Sequence, residues 1–317
     1  MYSKIPLLAI LGPTASGKSS LSLKLAKRIN SEIISCDSMQ IYKGLNIGTA
    51  TPSKKQLKEI PHYFINSLEI NQKFDANIFA TRAKKIIADI KKRKKVPILT
   101  GGTGLYAKIL LYGVKLPPSN KKIASDLLEL SKSKISYKKI CDELKKKDLQ
   151  SFKDAKKNKR RILRALEIIR ITGKPISNNF NKSIPDPDLN IKEWILIHPP
   201  EKLRQRIRER TYEMLKNGWI EETKKLIATD FFSSPTARQA LGYKYIADYL
   251  KGDIKTFEEL AEKIIVMTGR YAKKQRTWFR NQHPKANIVN PEEYSEDELI
   301  NLILKDASLP KLMHKLI

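Results

Sequence analysis

One run, Gly12-Pro13-Thr14-Ala15-Ser16-Gly17-Lys18-Ser19, constrains this chain more than any other stretch. An apolar segment, Ile5 to Leu11, leads into it, and a helical pattern, Ser20 to Ile29, follows. Strand, glycine loop, helix is the setting in which G-x-x-x-x-G-K-[ST] holds phosphate. Successive backbone N–H groups in such a loop converge on phosphate oxygens. The helix N-terminus adds partial positive charge and free donors. Lys18 brings a mobile cation, and the Ser19 hydroxyl can ligate Mg²⁺. The run predicts an α/β fold with a polyphosphate site at a strand's carboxyl end. It does not say whether that polyphosphate belongs to a nucleotide.

The next strand, Glu32 to Cys36, ends in Asp37-Ser38-Met39-Gln40. In an open parallel sheet this end opens into the same crevice as the glycine loop. Asp37 there can cap the turn that follows or act as a general base. Lys43 to Pro52 is a glycine-punctuated loop long enough to reach over a site. His62 to Leu68 reads as a third strand, Asp75 to Lys95 as a helix, and Val96 to Thr100 as a further buried strand. Gly101-Gly102-Thr103-Gly104 then forms a second glycine loop, expected at the same crevice, before a helix from Leu105. An ATP-dependent small-molecule kinase would use the same loop and the same Asp. It would also need a metal-organising acid at a strand end such as Thr100, and none stands there.

Lys and Arg total 62 against 33 Asp and Glu, a net charge of +29, which points to a polyanionic partner. A lysine-rich surface accounts for part of that excess, so the arginines say more. Pro117-Pro118 breaks the pattern, and the chain to about 190 is helical, polar and basic, an inserted helical subdomain. Candidate helices are Lys122 to Ser131, Tyr137 to Lys146 and Lys159 to Thr172, with Asn178 to Asn190 as a return loop. In Arg160-Arg161-Ile162-Leu163-Arg164, the arginines at 160 and 164 share a stripe that either suits phosphates or is a solvated helix face. Trp194 to His198 returns to the sheet. Glu201 to Asn217 forms a helix with Arg210 on its inward side among Leu203, Ile207 and Met214, and an inward Arg requires an anion. Thr256 to Asn281 is one long helix whose late part interleaves cations and aromatics, either a nucleic-acid face or core aromatics with solvated cations. The boundaries expected are 1–116 for the first part of the core, 117–190 for the insertion, 191–305 for its completion, and 306–317 as a tail. Cys36 and Cys141 have neither disulfide nor zinc spacing, and Cys36 reads as a small core residue. No secretory signal or membrane span is legible, so a cytoplasmic enzyme is expected.

Seven stretches, in order, resemble the bacterial tRNA dimethylallyltransferases. They are Gly12–Ser19, Asp37–Tyr42, Gly101–Tyr106, Arg160–Glu167, Thr172–Ser177, Gln239–Lys244 and Arg270–Arg280. The resemblance covers Leu8 to Arg280. It implies a parallel-sheet core like that of P-loop NTPases with an all-helical tRNA-binding insertion. It also implies prenylation of N6 of the adenosine 3′ of the anticodon, with dimethylallyl diphosphate as donor and Mg²⁺ as cofactor. On this resemblance the loop Gly12, Pro13, Thr14, Ala15, Ser16, Gly17, Lys18 and Ser19 holds diphosphate rather than ATP, with Ser19 on the metal. Asp37 is the base, and Thr14, Lys18 and Arg210 serve the diphosphate. Asp37, Ser38, Met39, Gln40, Thr103, Arg160, Arg161, Ile162, Leu163, Arg164, Gln239, Gly242, Tyr243 and Lys244 are implied in tRNA contact. At position 239 some members carry Arg. The implied partners are tRNA, through its anticodon stem-loop, and the donor, with no membrane and a monomeric enzyme.

Overall fold

The structure is a computed structural model describing residues 5–114, 116–176 and 184–309. It divides into two units, one of Met1–Gly113 with Pro185–Ile317 and one of Val114–Ile184.

In the first unit the chain runs β1 (Leu7–Leu11), α1 (Lys18–Arg28), β2 (Glu32–Ser35), α2 (Lys54–Glu59), β3 (His62–Tyr63), α3 (Ala76–Lys92), β4 (Pro97–Gly101) and α4 (Gly104–Tyr112). The second unit holds α5 (Lys121–Leu130), α6 (Lys134–Lys147), α7 (Leu149–Asp154) and α8 (Lys159–Thr172). The first unit resumes with β5 (Ile191–Leu196), α9 (Pro200–Met214), a π-turn (Leu215–Trp219), α10 (Ile220–Ile227), α11 (Tyr243–Leu250), α12 (Phe257–Gln282), β6 (Asn287–Val289) and α13 (Glu296–Asp306).

The six strands form one parallel sheet in the order β3-β2-β4-β1-β5-β6. Every residue of β1 and β4 is buried, which is why these strands read as unbroken apolar runs rather than alternating ones. The register sets the site. Leu11 pairs with Gly101, and Ser35 pairs with Thr100, so β1, β2 and β4 end level with one another. The chain that leaves each of them, at Gly12, Cys36 and Gly102, therefore emerges side by side.

The helices cover the sheet with their apolar faces. On α1, Leu21, Leu25 and Ala26 are buried while Lys27 and Arg28 close the last turn, where the helix dipole favours cations. On α3, Phe79, Ala83, Ile87 and Ile90 are buried, and Asp75 caps the start by accepting from the amides of Asn77 and Ile78, both at 2.9 Å. A buried Leu or Ile of this kind contributes about 1.5–3 kcal/mol.

Two expectations are corrected. His62 to Leu68 is not a strand: only His62 and Tyr63 pair with β2, because Phe64 (φ 64°) and Asn66 (φ 46°) turn out of the extended region. The tail expected from 306 is packed through 309: Leu299, Ile300, Ile303, Ala307 and Leu309 join the core cluster around β1 and α1. Ser295 starts that last helix with a reciprocal capping box to Glu298. The expected tail residues 310–317, Ser177, and much of the expected return loop lie outside the described residues.

The helical unit has its own core of Leu127, Ile140, Leu144, Ala155, Ile162, Ala165, Leu166 and Ile169. Glu167 ties its entry strand down, accepting from the Ser119 hydroxyl and the Asn120 amide, each at 2.9 Å.

Candidate active site

The glycine loop leaves β1 against β5. A Cβ on Gly12 would lie 2.6 Å from the Leu196 carbonyl oxygen, so only glycine allows this exit. Ala15 (φ 62°) and Gly17 (φ 83°) are both left-handed and curl the loop inward. Arg206 holds Ala15 in that unusual conformation through an Nε–H bond to its carbonyl at 2.8 Å. Gly17 opens α1 without a side-chain cap, which leaves the first-turn amides for a ligand. The Ser16 hydroxyl is buried in the loop with no partner among the described residues.

Lys18 extends back over the loop and donates to the Pro13 carbonyl at 3.1 Å. Burial, and then the neighbouring Arg210, pull its pKa down to about 8, against the opposing pull of Asp37 and Cys36. Arg210 reaches in from α9 as its spacing predicted, and its Nη1 donates to the Thr14 hydroxyl at 3.3 Å. Burial lowers its pKa, and Asp37 and Glu213 partly restore it. Two guanidinium groups and one ammonium thus gather around the loop.

Asp37 follows β2 and caps the turn, the first of its two readings. Its Oδ1 accepts from the amides of Met39 (2.8 Å) and Gln40 (3.3 Å), fixing the turn. Oδ2 takes no hydrogen bond from the described residues. Ser38 donates its amide to Thr103 Oγ1 at 3.0 Å, and Thr103 donates its own to the Cys36 carbonyl at 3.1 Å. Gln40 accepts from the Ser35 hydroxyl at 2.9 Å and donates to the Thr49 carbonyl at 3.0 Å. Cys36 is fully buried, and burial pushes its thiol pKa well up, so it is the small core residue expected.

Most of these residues line one cavity of about 640 Å³. Its walls include Thr14 to Ser20, Asp37 to Gln40, Gly48 to Ala50, Thr100 to Gly102, Arg206, Arg210, Gln239 and Tyr271. The second glycine loop faces the crevice, as expected. The loop after β2 reaches over it, because Glu222 accepts from the amides of Asn46 (2.9 Å), Ile47 (2.8 Å) and Gly48 (3.2 Å).

Sequence reasoning missed two residues here. Gln275, buried on α12, accepts from the Thr14 amide at 2.9 Å and donates to the Gly102 carbonyl at 2.8 Å. It joins the two glycine loops, and its place inside the Arg270–Arg280 run was the available signal. Arg206, one turn before Arg210 on α9, was the other. The aromatics of that run divide: Phe279 is core, while Tyr271 is partly exposed and lines the cavity.

The residues implied in tRNA contact do not share one environment. Ser38, Met39, Gln40 and Gln239 line the cavity, and Lys244 is exposed. Tyr243 is fully buried with its hydroxyl on Glu222 at 2.7 Å, and Gly242 is buried against Trp219, so neither presents a surface to nucleic acid. Ile162 is likewise a core residue of the helical unit. Arg160 and Arg161 are exposed, and Leu163 and Arg164 are half-buried. Arg164 is held internally, by Glu167 at 2.8 Å and the Pro117 carbonyl at 2.8 Å.

Among the described residues no cluster of three or more His, Cys, Asp or Glu could hold a metal. The exposed Ser19 hydroxyl at the cavity wall fits Mg²⁺, which takes one or two protein ligands and completes its shell with phosphate oxygens and water. No helix among the described residues is long and apolar enough to cross a membrane.

Residues 40–282 match the model of the family described as IPP transferase. The chain is 42% identical over 284 residues to the tRNA dimethylallyltransferase of Thermoanaerobacter sp. (strain X514), covering 87% of this chain and 89% of that one. It is 39% identical over 318 residues to that of Clostridioides difficile (strain 630), covering 96% and 99%. Among solved structures it is similar to the tRNA delta(2)-isopentenylpyrophosphate transferase of Staphylococcus epidermidis, with a TM-score of 0.68, 36% identity, and coverage of 96% and 99%. It is also similar to a eukaryotic dimethylallyltransferase acting on tRNA, with a TM-score of 0.75, 27% identity, and coverage of 94% of this chain and 77% of that one.

Proposed function

Since this chain belongs to the IPP transferase family of tRNA dimethylallyltransferases, we propose that the residues gathered in its cavity carry out that transfer. The enzyme moves a dimethylallyl group from dimethylallyl diphosphate to N6 of the adenosine 3′ of the tRNA anticodon. The donor's C1–O bond breaks, a bond from C1 to N6 forms, one N6 proton leaves, and diphosphate departs.

The adenine amine shares its lone pair with the ring and is a weak nucleophile. Asp37 takes its proton as the C–N bond forms, a contribution of about 10²–10⁴-fold. Oδ1 is fixed by the turn and Oδ2 is the basic oxygen. Charge grows on the departing diphosphate, and the loop amides, Thr14, Lys18 and Arg210 stabilise it there. Ser19 would hold Mg²⁺, which when bound would supply further positive charge for the leaving group. The target base leaves its stack to reach the cavity, where Ser38, Met39, Gln40 and Gln239 surround it and Thr103 holds the Ser38 amide in place. Arg160 and Arg161 of the helical insertion, with Lys244 of the core, bind the backbone of the anticodon stem-loop. The enzyme acts as a monomer in the cytoplasm.

What supports it most is that Asp37 and the phosphate loop line one cavity, with Arg210 in the same wall and bonded to Thr14 of the loop. The test is to incubate the protein with unmodified tRNA, dimethylallyl diphosphate and Mg²⁺, then analyse nucleosides by mass spectrometry. A prenylated adenosine is expected, and its absence would overturn the assignment. Labelled ATP should yield no transfer of its γ-phosphate.

A further inference from the structure

The diphosphate and the acceptor base have their places, but the hydrocarbon half of the donor also needs one. A second, small cavity of about 60 Å³ opens beside the first. The two share a rim of Thr14, Ala15, Gly48, Arg210 and Leu241, so a group that enters the small one does so next to the phosphate loop. Beyond the rim the walls are mostly apolar, with Ile207 and Met214 of α9, Ile264 of α12 and the indole of Trp219 beside the two threonines Thr211 and Thr268. Ile207, Ile264 and Trp219 are each at most 3% exposed. The Thr211 hydroxyl, also in the wall, donates to the Ile207 carbonyl at 2.8 Å and offers no free polar group. A space of this size holds on the order of four or five water-sized groups. It suits the branched end of a five-carbon chain whose C1 stays in the larger cavity. It has no room for a second isoprene unit.

The wall at Trp219 does not yield. A Cβ on Gly48 would lie 2.1 Å from the indole Nε1, and one on Gly242 would lie 2.2 Å from its far edge. The ring is therefore pressed between two backbones that come close only because both residues are glycine. Tyr243 meets it edge-on, with centroids 5.6 Å apart. The π-turn that carries it bends at Gly218 (φ 95°), which directs the ring into this slot.

We infer that Trp219, braced by Gly48 and Gly242, closes the hydrocarbon pocket and restricts the donor to five carbons. This rests on the transferase reading above and adds the residue that sets donor length. Losing one methylene contact changes selectivity by about 10–200-fold, and running into a rigid wall discriminates at least as strongly. The wild-type enzyme should thus favour dimethylallyl over geranyl diphosphate by roughly 10²-fold or more in kcat/KM.

The experiment measures kcat/KM for both donors on the same tRNA, for the wild type and for Trp219→Leu, with circular dichroism to confirm folding. In the variant the geranyl-to-dimethylallyl ratio should rise at least about tenfold, with a product nucleoside heavier by one isoprene unit. If Trp219→Leu does not fold, Met214→Ala enlarges the same pocket from α9 and carries the same expectation. A folded variant with an unchanged ratio overturns the inference while leaving the transferase assignment intact. So does a wild type that uses both donors equally well. A wild type that transfers no dimethylallyl group overturns the assignment and this inference with it.

Discussion

Asp37 divides its duties between two oxygens, and the division can be tested. Asp37→Asn keeps an oxygen for the Met39 and Gln40 amides, so the turn should survive. It removes the base, so single-turnover rates should fall by about 10²–10⁴ while tRNA affinity stays the same. Lys18 is the second test. With its pKa drawn down to about 8 in the free protein, it loses charge as pH rises through that value. The kcat/KM for donor should therefore fall above about pH 8, whereas kcat, measured with diphosphate beside the ammonium, should hold to higher pH. Arg164 separates stability from binding. Burial raises the pKa of Glu167, but Arg164, the Asn120 amide and Ser119 outweigh it, and the net shift is downward. A carboxylate lowered on folding stabilises the fold above its ordinary range and loses that contribution as pH falls through its native pKa. Arg164→Ala should cost about 1–2 kcal/mol near neutral pH and flatten the acid-side decline, as read by thermal melts. Arg160→Ala and Arg161→Ala should leave the melt unchanged and reduce the salt slope of tRNA binding. The phosphate loop and Asp37 were legible because their chemistry is local. Arg164 and Tyr243 were misplaced because a motif names positions without saying which side chain turns inward, and Glu167 and Glu222 claim them only in three dimensions.

Among elements, those with a full amphipathic face were readable. α8 spans Lys159–Thr172 as its pattern predicts, and α3, α9 and α12 lie within a few residues of expectation. α2, α7 and α11 have only six to eight residues, too few turns for periodicity to show. β6 has three residues, two of them exposed, and finds its place only by pairing with β5. The link between elements that matters most for the site is also non-local. Gln275 on α12 joins loops that follow β1 and β4, and the Arg270–Arg280 run marks its position without naming those partners. Gln275→Leu should raise KM for the donor about tenfold or more, because the Thr14 amide and the Gly102 carbonyl lose their buried partner. Titrating donor under steady-state conditions at saturating tRNA checks this.

For the whole molecule, a net charge of +29 makes long-range attraction to a polyanion unavoidable. Affinity for tRNA should fall at least about tenfold between 50 and 200 mM salt, while KM for the donor, set inside the cavity, should change far less. Filter binding and steady-state kinetics across that range would separate the two. So basic a chain also draws stray phosphate. The amides of Asn46, Ile47 and Gly48 form a concave row of the kind that traps such ions, and the protein fills it from within using the Glu222 carboxylate. An internal plug of this sort closes the decoy berth and ties the loop after β2 to α10. Loose anions from the surrounding buffer are then left to compete at the loop that begins at Gly12, where the departing product itself must be let go.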